Sequence, residues 1–300
     1  MAIDLRNKIT VGADVEYPIV HRRAYVSVAG KLGCSKQNPH DIPGIGNLQE
    51  DNVLAEVAIE PCSTADQFIE RLGVVRRKLV QHLAACDVQG SLSYHASPIY
   101  NRRELEHRNA REFGCEPDLC AYSLQSKEPP PCAANNRRRY TGGHIHVGFG
   151  HNDFYDKVNV IRWMDLLINR DLAVSPDRSV RLPCTNNERA RRRAYGQIGS
   201  FRPKPYGVEY RAMSNQWTKT NKHIEEVFYR AKLAVRVARY ADSADFIQPV
   251  GYAFRFSPHR LQFDPVRFAR STVPENIYDL VRLAARQRVA PAYKEMYGNV

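Results

Sequence analysis

A chain of 300 residues with 43% hydrophobic and 25% charged residues has the composition of a folded globular protein, which excludes a mainly disordered or fibrous one. Its apolar runs fall far short of the ~20 residues of a membrane helix. Asp4 and Arg6 precede any apolar stretch, so no signal peptide and a cytoplasmic location are expected. With 44 basic and 32 acidic residues the net charge is +12, which favours anionic partners: nucleic acid, nucleotide phosphates or carboxylates.

Seven cysteines without a Cys-x-x-Cys pair read as reduced thiols, and their spacing argues against zinc. There is no internal repeat. One domain over residues 1–300 is expected, its part from about residue 218 onward helical.

The first strand is expected over residues 8–17, ending at Pro18, and a second over 24–28. Residues 31–51 are rich in Gly, Pro, Asn and Asp and read as a long loop. Residues 53–60 alternate cleanly: Val53, Ala55, Val57 and Ile59 point one way, and Leu54, Glu56, Ala58 and Glu60 the other. Pro61 is expected to end this strand. Ser63 or Thr64 can cap the next helix, in which Phe68, Leu72, Val75, Leu79 and Leu83 fall at helical spacing to about Cys86. Residues 100–136 read as irregular, 143–149 as strand, 154–169 as helix, 178–193 as a basic loop or short helix and 206–212 as strand. A long helix over 222–241 has Ile224, Val227, Phe228, Ala231 and Val235 as its apolar stripe, and residues 274–285 and 291–297 read as helical. The pattern predicts an α+β fold, a mixed or antiparallel sheet with helices on one face and an open, carboxylate-lined face on the other.

Four short motifs fall on that face. Asp14 and Glu16 are two apart on a strand, so their carboxylates share a side about 6–7 Å apart. That spacing suits two neighbouring divalent cations or one shared site, since hard oxygens are the usual ligands of Mg²⁺. Glu56 and Glu60 share a face but lie about 13 Å apart, which makes Glu56 the stronger ligand candidate. His144 and His146, in Gly142-Gly143-His144-Ile145-His146-Val147-Gly148, share a face and can bind a metal or a phosphate oxygen. Glu209 and Arg211 pair a metal ligand with an anion binder, with Arg202 and Lys204 on the preceding turn. Arg189, Arg191, Arg192, Arg193 and Arg137–139 form a basic cluster of guanidinium groups suited to phosphate or carboxylate. No phosphate-binding Gly-x-x-x-x-Gly-Lys loop and no helix-turn-helix, zinc-finger or RRM signature occurs.

In order, the motifs read Asp-x-Glu, Glu56 on a strand, Gly-x-His-x-His and Glu-x-Arg. This order resembles the glutamine synthetase and glutamate–cysteine ligase superfamily, and more closely the phage-type carboxylate–amine ligases (COOH·NH2 ligase type 2). The closer resemblance rests on the stretches Asp51-Asn52-Val53 to Pro61, Phe113-Gly114-Cys115-Glu116-Pro117-Asp118, 142–148 and 199–211. It implies a curved, mainly antiparallel sheet with helices on its convex face and the active site on its concave face. It also implies an ATP-dependent ligase that joins a carboxylate to an amine through an acyl phosphate, with two or three Mg²⁺ or Mn²⁺ ions. By that resemblance Asp14, His144 and Glu209 would hold one ion, and Glu16 and Glu56 another near the acyl centre. His146 would contact a phosphate. Arg202, with Lys204 and Arg193 as further candidates, would bind ATP phosphates, and Arg211 would stabilise the transferred phosphoryl group or the carboxylate substrate. The Arg-rich segment 178–193 is the candidate lid. The family implies a phage origin, and so a host cytoplasm. The first acid is Asp14 where many relatives have glutamate, and no counterpart of glutamine synthetase's N-terminal domain is evident, so that enzyme's ring is not implied. Two other readings use the same residues: a nucleic-acid-binding protein with a basic surface, and a metallohydrolase centred on His144 and His146.

Overall fold

β1 (Thr10–Tyr17) buries Val11, Ala13, Val15 and Tyr17 on one side and turns Thr10, Gly12, Asp14 and Glu16 to the other, the two-residue period of a strand. The computed structural model describes residues 8–111, 118–127, 136–150, 153–175, 177–182, 184–240, 254–257 and 260–263. Beyond β1 come β2 (Ile19–His21) and β3 (Ala24–Val26). The segment expected as one long loop contains two strands, β4 (His40–Ile42) and β5 (Gly46–Asp51). Turn residues obscured them: Gly44, Gly46 and Asn52 all take positive φ, and a Cβ on Gly46 would collide with the Ala58 carbonyl.

β6 (Leu54–Cys62) has the expected alternation, with Ala55, Val57 and Ile59 buried, but runs through Pro61. Opposite Gly12 the β1–β6 register shifts, and Glu60 and Pro61 form the irregularity, a position that tolerates proline. Thr64 caps α1 (Ala65–Ala85) by accepting the Gln67 N–H, and Phe68, Leu72, Val75, Leu79 and Leu83 are its buried face.

β7 (Ser91–Leu92), β8 (Asp118–Cys120) and β9 (Ser126–Lys127) follow, then β10 (Gly143–Gly148). α2 (Phe154–Met164) passes through a π turn, Asp165–Arg170, into α3 (Asp171–Val174), so this helical run is longer than expected. α4 (Asn186–Ala194), β11 (Ser200–Lys204), β12 (Gly207–Tyr210) and α5 (Asn221–Tyr240) complete the main body. β13 (Phe254–Ser257) and β14 (Arg260–Phe263) pair as a hairpin in a region expected to be helical. The helices expected over 274–285 and 291–297 lie outside the described residues.

Nine strands form one sheet in the order β4-β5-β6-β1-β10-β12-β11-β8-β9, with every neighbouring pair antiparallel. β3, β2 and β7 make a small second sheet. α1 covers β5 and β6, α5 covers β1 and β10, and α2 covers β11 and β12, with α5 packed between the other two helices. Between the helices and the sheet Phe68 stacks on Trp217 at 5.8 Å and meets Phe228 at 5.5 Å. The apolar stripe read from α5 (Ile224, Val227, Phe228, Ala231, Val235) is buried there, each large side chain contributing about 1.5–3 kcal/mol. No described helix is long and apolar enough to cross a membrane.

Candidate active site

The face opposite the helices carries the candidate residues, and antiparallel register sets their rows. Glu16 on β1 pairs with Glu56 on β6, and Glu56 with Gln49 on β5. Asp14 pairs with His144 on β10. His146 pairs with Glu209 on β12, and Glu209 with Arg202 on β11. Residues two apart on each strand therefore converge with their neighbours' side chains, and four of the motif stretches become one surface.

Asp14 lies at the centre. Its Oδ1 is 2.9 Å from His144 Nδ1, and its Oδ2 is 3.2 Å from His146 Nε2. Burial works against its charge, but His144 and His146 hold the carboxyl well below its usual range. His144 is buried, with Nε2 2.9 Å from the Tyr195 hydroxyl. Burial and the adjacent Arg211 lower its pKa. His146 is more open, and Tyr206 Oη lies 2.6 Å from its Nδ1. Burial lowers its pKa and Asp14 raises it, with a net upward shift.

Glu209 is buried among cations. Lys204 Nζ is 2.8 Å away and Arg202 Nη1 3.6 Å, and Arg211 Nη1 donates to its Oε1. Burial and Asp14 push its pKa up, yet His144, Arg211 and His146 bring it down to about 2. Arg211 also reaches Asp118 Oδ1 with Nε at 2.7 Å and donates from Nη2 to the Tyr195 hydroxyl at 2.7 Å. Arg202 lies 3.5 Å from the same Asp118 oxygen.

On the other side of Asp14 the carboxylates of Glu16, Glu56 and Asp51 crowd together. Glu16 Oε2 accepts the Gly142 N–H at 2.6 Å. Burial and then the charge of Asp51 push the Glu16 carboxyl up to about 8. Glu56 accepts from Gln49 Nε2 at 2.8 Å, and burial with Asp51, Asp14 and Glu16 raises it well above its usual range. Burial raises Asp51 as well. Carboxyls whose pKa values burial and mutual repulsion raise mark a place where a bound cation would favour the charged form.

Among the described residues one group of three or more ligating side chains has its ligand atoms all within 4.8 Å of one another: Asp14, His146 and Glu209. The sequence reading placed His144 in that group. His146 is the histidine of this group, and His144 lies beside it, its Nδ1 2.9 Å from Asp14 Oδ1 and 3.8 Å from Glu209 Oε1 and its Nε2 at the Tyr195 hydroxyl. The mixed carboxylate and imidazole donors fit a divalent ion such as Mg²⁺ or Mn²⁺, and the Glu16, Glu56 and Asp51 carboxyls fit a second. Glu60 is exposed on the β6 irregularity, where the register with β1 shifts.

The basic cluster behaves differently from the sequence reading. Arg191 is fully buried and donates to the carbonyls of Thr141, Gly196, Arg211, Ala212 and Met213. Arg192 bonds Glu188 and Asn169. Arg137, Arg138 and Arg139 donate to carbonyls at Tyr100, Ser97 and Ala110. These guanidinium groups tie loops together, so this part of the expected lid is anchored, while Arg137 and Arg189 remain exposed. Arg193 is exposed in the last turn of α4. Sequence reasoning assigned no role to Gln49, Asp51, Asp118, Tyr195 or Tyr206. Asp51 and Asp118 stood in stretches singled out for their resemblance, and that was their only signal. The rest of the stretch 113–117 lies outside the described residues.

A family model described as phage phiEco32-like COOH.NH2 ligase-type 2 matches residues 133–269. The match spans the His144–His146 and Arg202–Arg211 motifs, and the resemblance to that family read from motif order stands. No curated protein matches the chain. Among solved structures, the complex between prokaryotic ubiquitin-like protein Pup and its ligase PafA aligns with a TM-score of 0.41 and 14% identity, over 95% of this chain and 59% of that one. The chain thus spans 59% of the length of that solved chain.

Proposed function

We propose that this protein is an ATP-dependent carboxylate–amine ligase that makes an amide bond through an acyl phosphate. The observation that carries the reading is the convergence of Asp14, His146 and Glu209 beside Arg202, Lys204 and Arg211 on one open sheet face. The family match over residues 133–269 supports it. In the reaction a carboxylate oxygen attacks the γ-phosphorus and ADP leaves. The amine nitrogen then attacks the acyl carbon, loses a proton, and phosphate leaves.

Asp14, His146 and Glu209 would hold one divalent cation, and Glu16, Glu56 and Asp51 a second. Bound cations of this kind offset phosphate charge and stabilise the charge that develops in transfer. The remaining work falls to the chain. Arg202 and Lys204, both partly exposed and already paired with Glu209, turn toward incoming phosphate oxygens. Arg211, fixed by Asp118 and Tyr195, presents a positive charge to the transferred group or the carboxylate substrate. His144, held between Asp14 and Tyr195, orients Asp14. Glu56, once a cation bound beside it has displaced its own proton, would be able to take the proton released by the amine.

The test is ADP and phosphate release from ATP with Mg²⁺, against pooled amino acids and polyamines, with Glu209→Gln as control. Turnover that requires an amine and carboxylate pair, and falls at least ~100-fold in the variant, supports the ligase. Absence of nucleotide binding by the wild-type protein refutes it.

A further inference from the structure

A looser cluster of thiols and imidazoles, its ligand atoms not all within 4.8 Å of one another, gathers where the end of α1 meets the β4 edge of the sheet. Its members are scattered in sequence as Cys34, His40, His82 and Cys86, and no spacing pattern joins them. His82 and Cys86 stand one turn apart at the C-terminal end of α1, with Cys86 as its cap. Cys86 Sγ lies 3.7 Å from His82 Nε2, and Cys34 Sγ lies 4.0 Å from the same nitrogen. The His40 ring, on β4, is 4.9 Å from the His82 ring, centroid to centroid. Both sulfurs are free thiols, and Cys34 is buried.

The loop that delivers Cys34 is built rather than slack. The Glu50 carboxylate accepts the N–H groups of Gly30 at 2.7 Å and Leu32 at 2.6 Å. The Glu50 N–H in turn donates to the Cys34 carbonyl at 3.2 Å. This brings the Leu32 carbonyl to 2.8 Å from His82 Nε2.

A tetrahedral zinc ion, with Zn–S about 2.3 Å and Zn–N about 2.0 Å, separates sulfur and nitrogen ligands by about 3.5 Å. The two sulfur–nitrogen distances here, 3.7 and 4.0 Å, are near that value. The four ligands are more loosely grouped than those of the carboxylate centre. Closing on an ion takes rotation of the two thiols and release of His82 from Leu32. Thiolate and imidazole select zinc, whereas the carboxylate face selects harder ions, so the two centres differ in the metal they prefer.

We propose that Cys34, His40, His82 and Cys86 form a structural zinc site that clamps the loop over residues 30–42 to the end of α1. The clamp has a consequence for the sheet face, because this loop carries Lys36, whose charge acts on Asp51. The proposal stands apart from the ligase reading and is tested without activity.

The full chain is purified under reducing conditions without chelator, and bound metal is measured by mass spectrometry. About one zinc per chain is expected in the wild type and in Asp14→Asn, and none in the Cys34→Ser/Cys86→Ser double variant. Cobalt chloride added to the apo wild type should produce intense visible and thiolate charge-transfer bands. Should the double variant fail to fold, His40→Ala, a change at an exposed side chain, must weaken zinc binding by about tenfold or more. Wild-type protein that takes up no zinc and gives no cobalt–thiolate bands overturns the proposal. So does zinc retained in the folded double variant, or a Cys34–Cys86 disulfide in protein purified under reducing conditions.

Discussion

Replacing Arg191 with methionine removes the knot that joins both ends of the candidate site. The guanidinium donates to Thr141 O at 2.5 Å, Met213 O at 2.7 Å and Ala212 O at 2.9 Å, with longer bonds to Arg211 and Gly196. Met213 O keeps a second donor in Gly143 N–H. Thr141 O and Ala212 O lose their guanidinium donor. Glu188 loses one of its two arginine partners and keeps Arg192. At about 1–3 kcal/mol for each buried carbonyl left unpaired, the two together cost about 2–6 kcal/mol, with about 4 as the central value. For a urea dependence of about 3 kcal/mol per molar, the unfolding midpoint should fall by about 1.3 M. Equilibrium urea unfolding followed by tryptophan fluorescence reads this directly. Magnesium affinity should weaken in parallel, since Thr141 precedes the Gly142 N–H that binds Glu16. A midpoint within about 0.3 M of wild type would mean that the five carbonyls do not depend on this side chain, and the reasoning fails.

The crowded acids make stability depend on pH. The Glu16 carboxyl rises from 4.5 to about 8 on folding, so over that interval the folded protein holds a proton the unfolded chain has released. Metal-free stability should therefore fall as pH rises through this window, Glu56 and Asp51 adding in the same direction. Millimolar Mg²⁺ should flatten the slope in thermal melts, and a slope indifferent to Mg²⁺ counts against a cation site there. Asp165, which accepts the Tyr210 hydroxyl and is pushed by burial to about 7, adds a decline that Mg²⁺ leaves and Asp165→Asn abolishes. Arg202→Ala should weaken ATP binding by about 10–100-fold, the worth of one charge-assisted hydrogen bond, and calorimetric titration with a non-hydrolysable ATP analogue measures it. Gly143→Ala puts a Cβ against the Ser214 carbonyl and 2.8 Å from Trp217 Nε1. It should cost about 1–3 kcal/mol through overpacking, seen as a lower melting temperature, and an unchanged melt would contradict this packing.

The motif pairs were legible because a strand's period is local. Asp14 with Glu16, His144 with His146, and Glu209 with Arg211 share a face whatever the fold, since alternate side chains point the same way. α1 was legible from its Thr64 cap and five apolar positions, and β6 from its alternation. Partners across strands were not, because register depends on residues far apart in the chain. Register places His146 beside Glu209, brings Asp51 and Gln49 to Glu56, and leaves Glu60 in solvent on the irregularity at Pro61. Burial was equally hidden: a run of arginines reads as a phosphate-binding surface until the fold surrounds Arg191 with backbone carbonyls and makes it a tie. The local sequence determined which side chains face together. Only the tertiary structure decided which of them meet, because the distance between two charges is set by chain paths that no short pattern encodes.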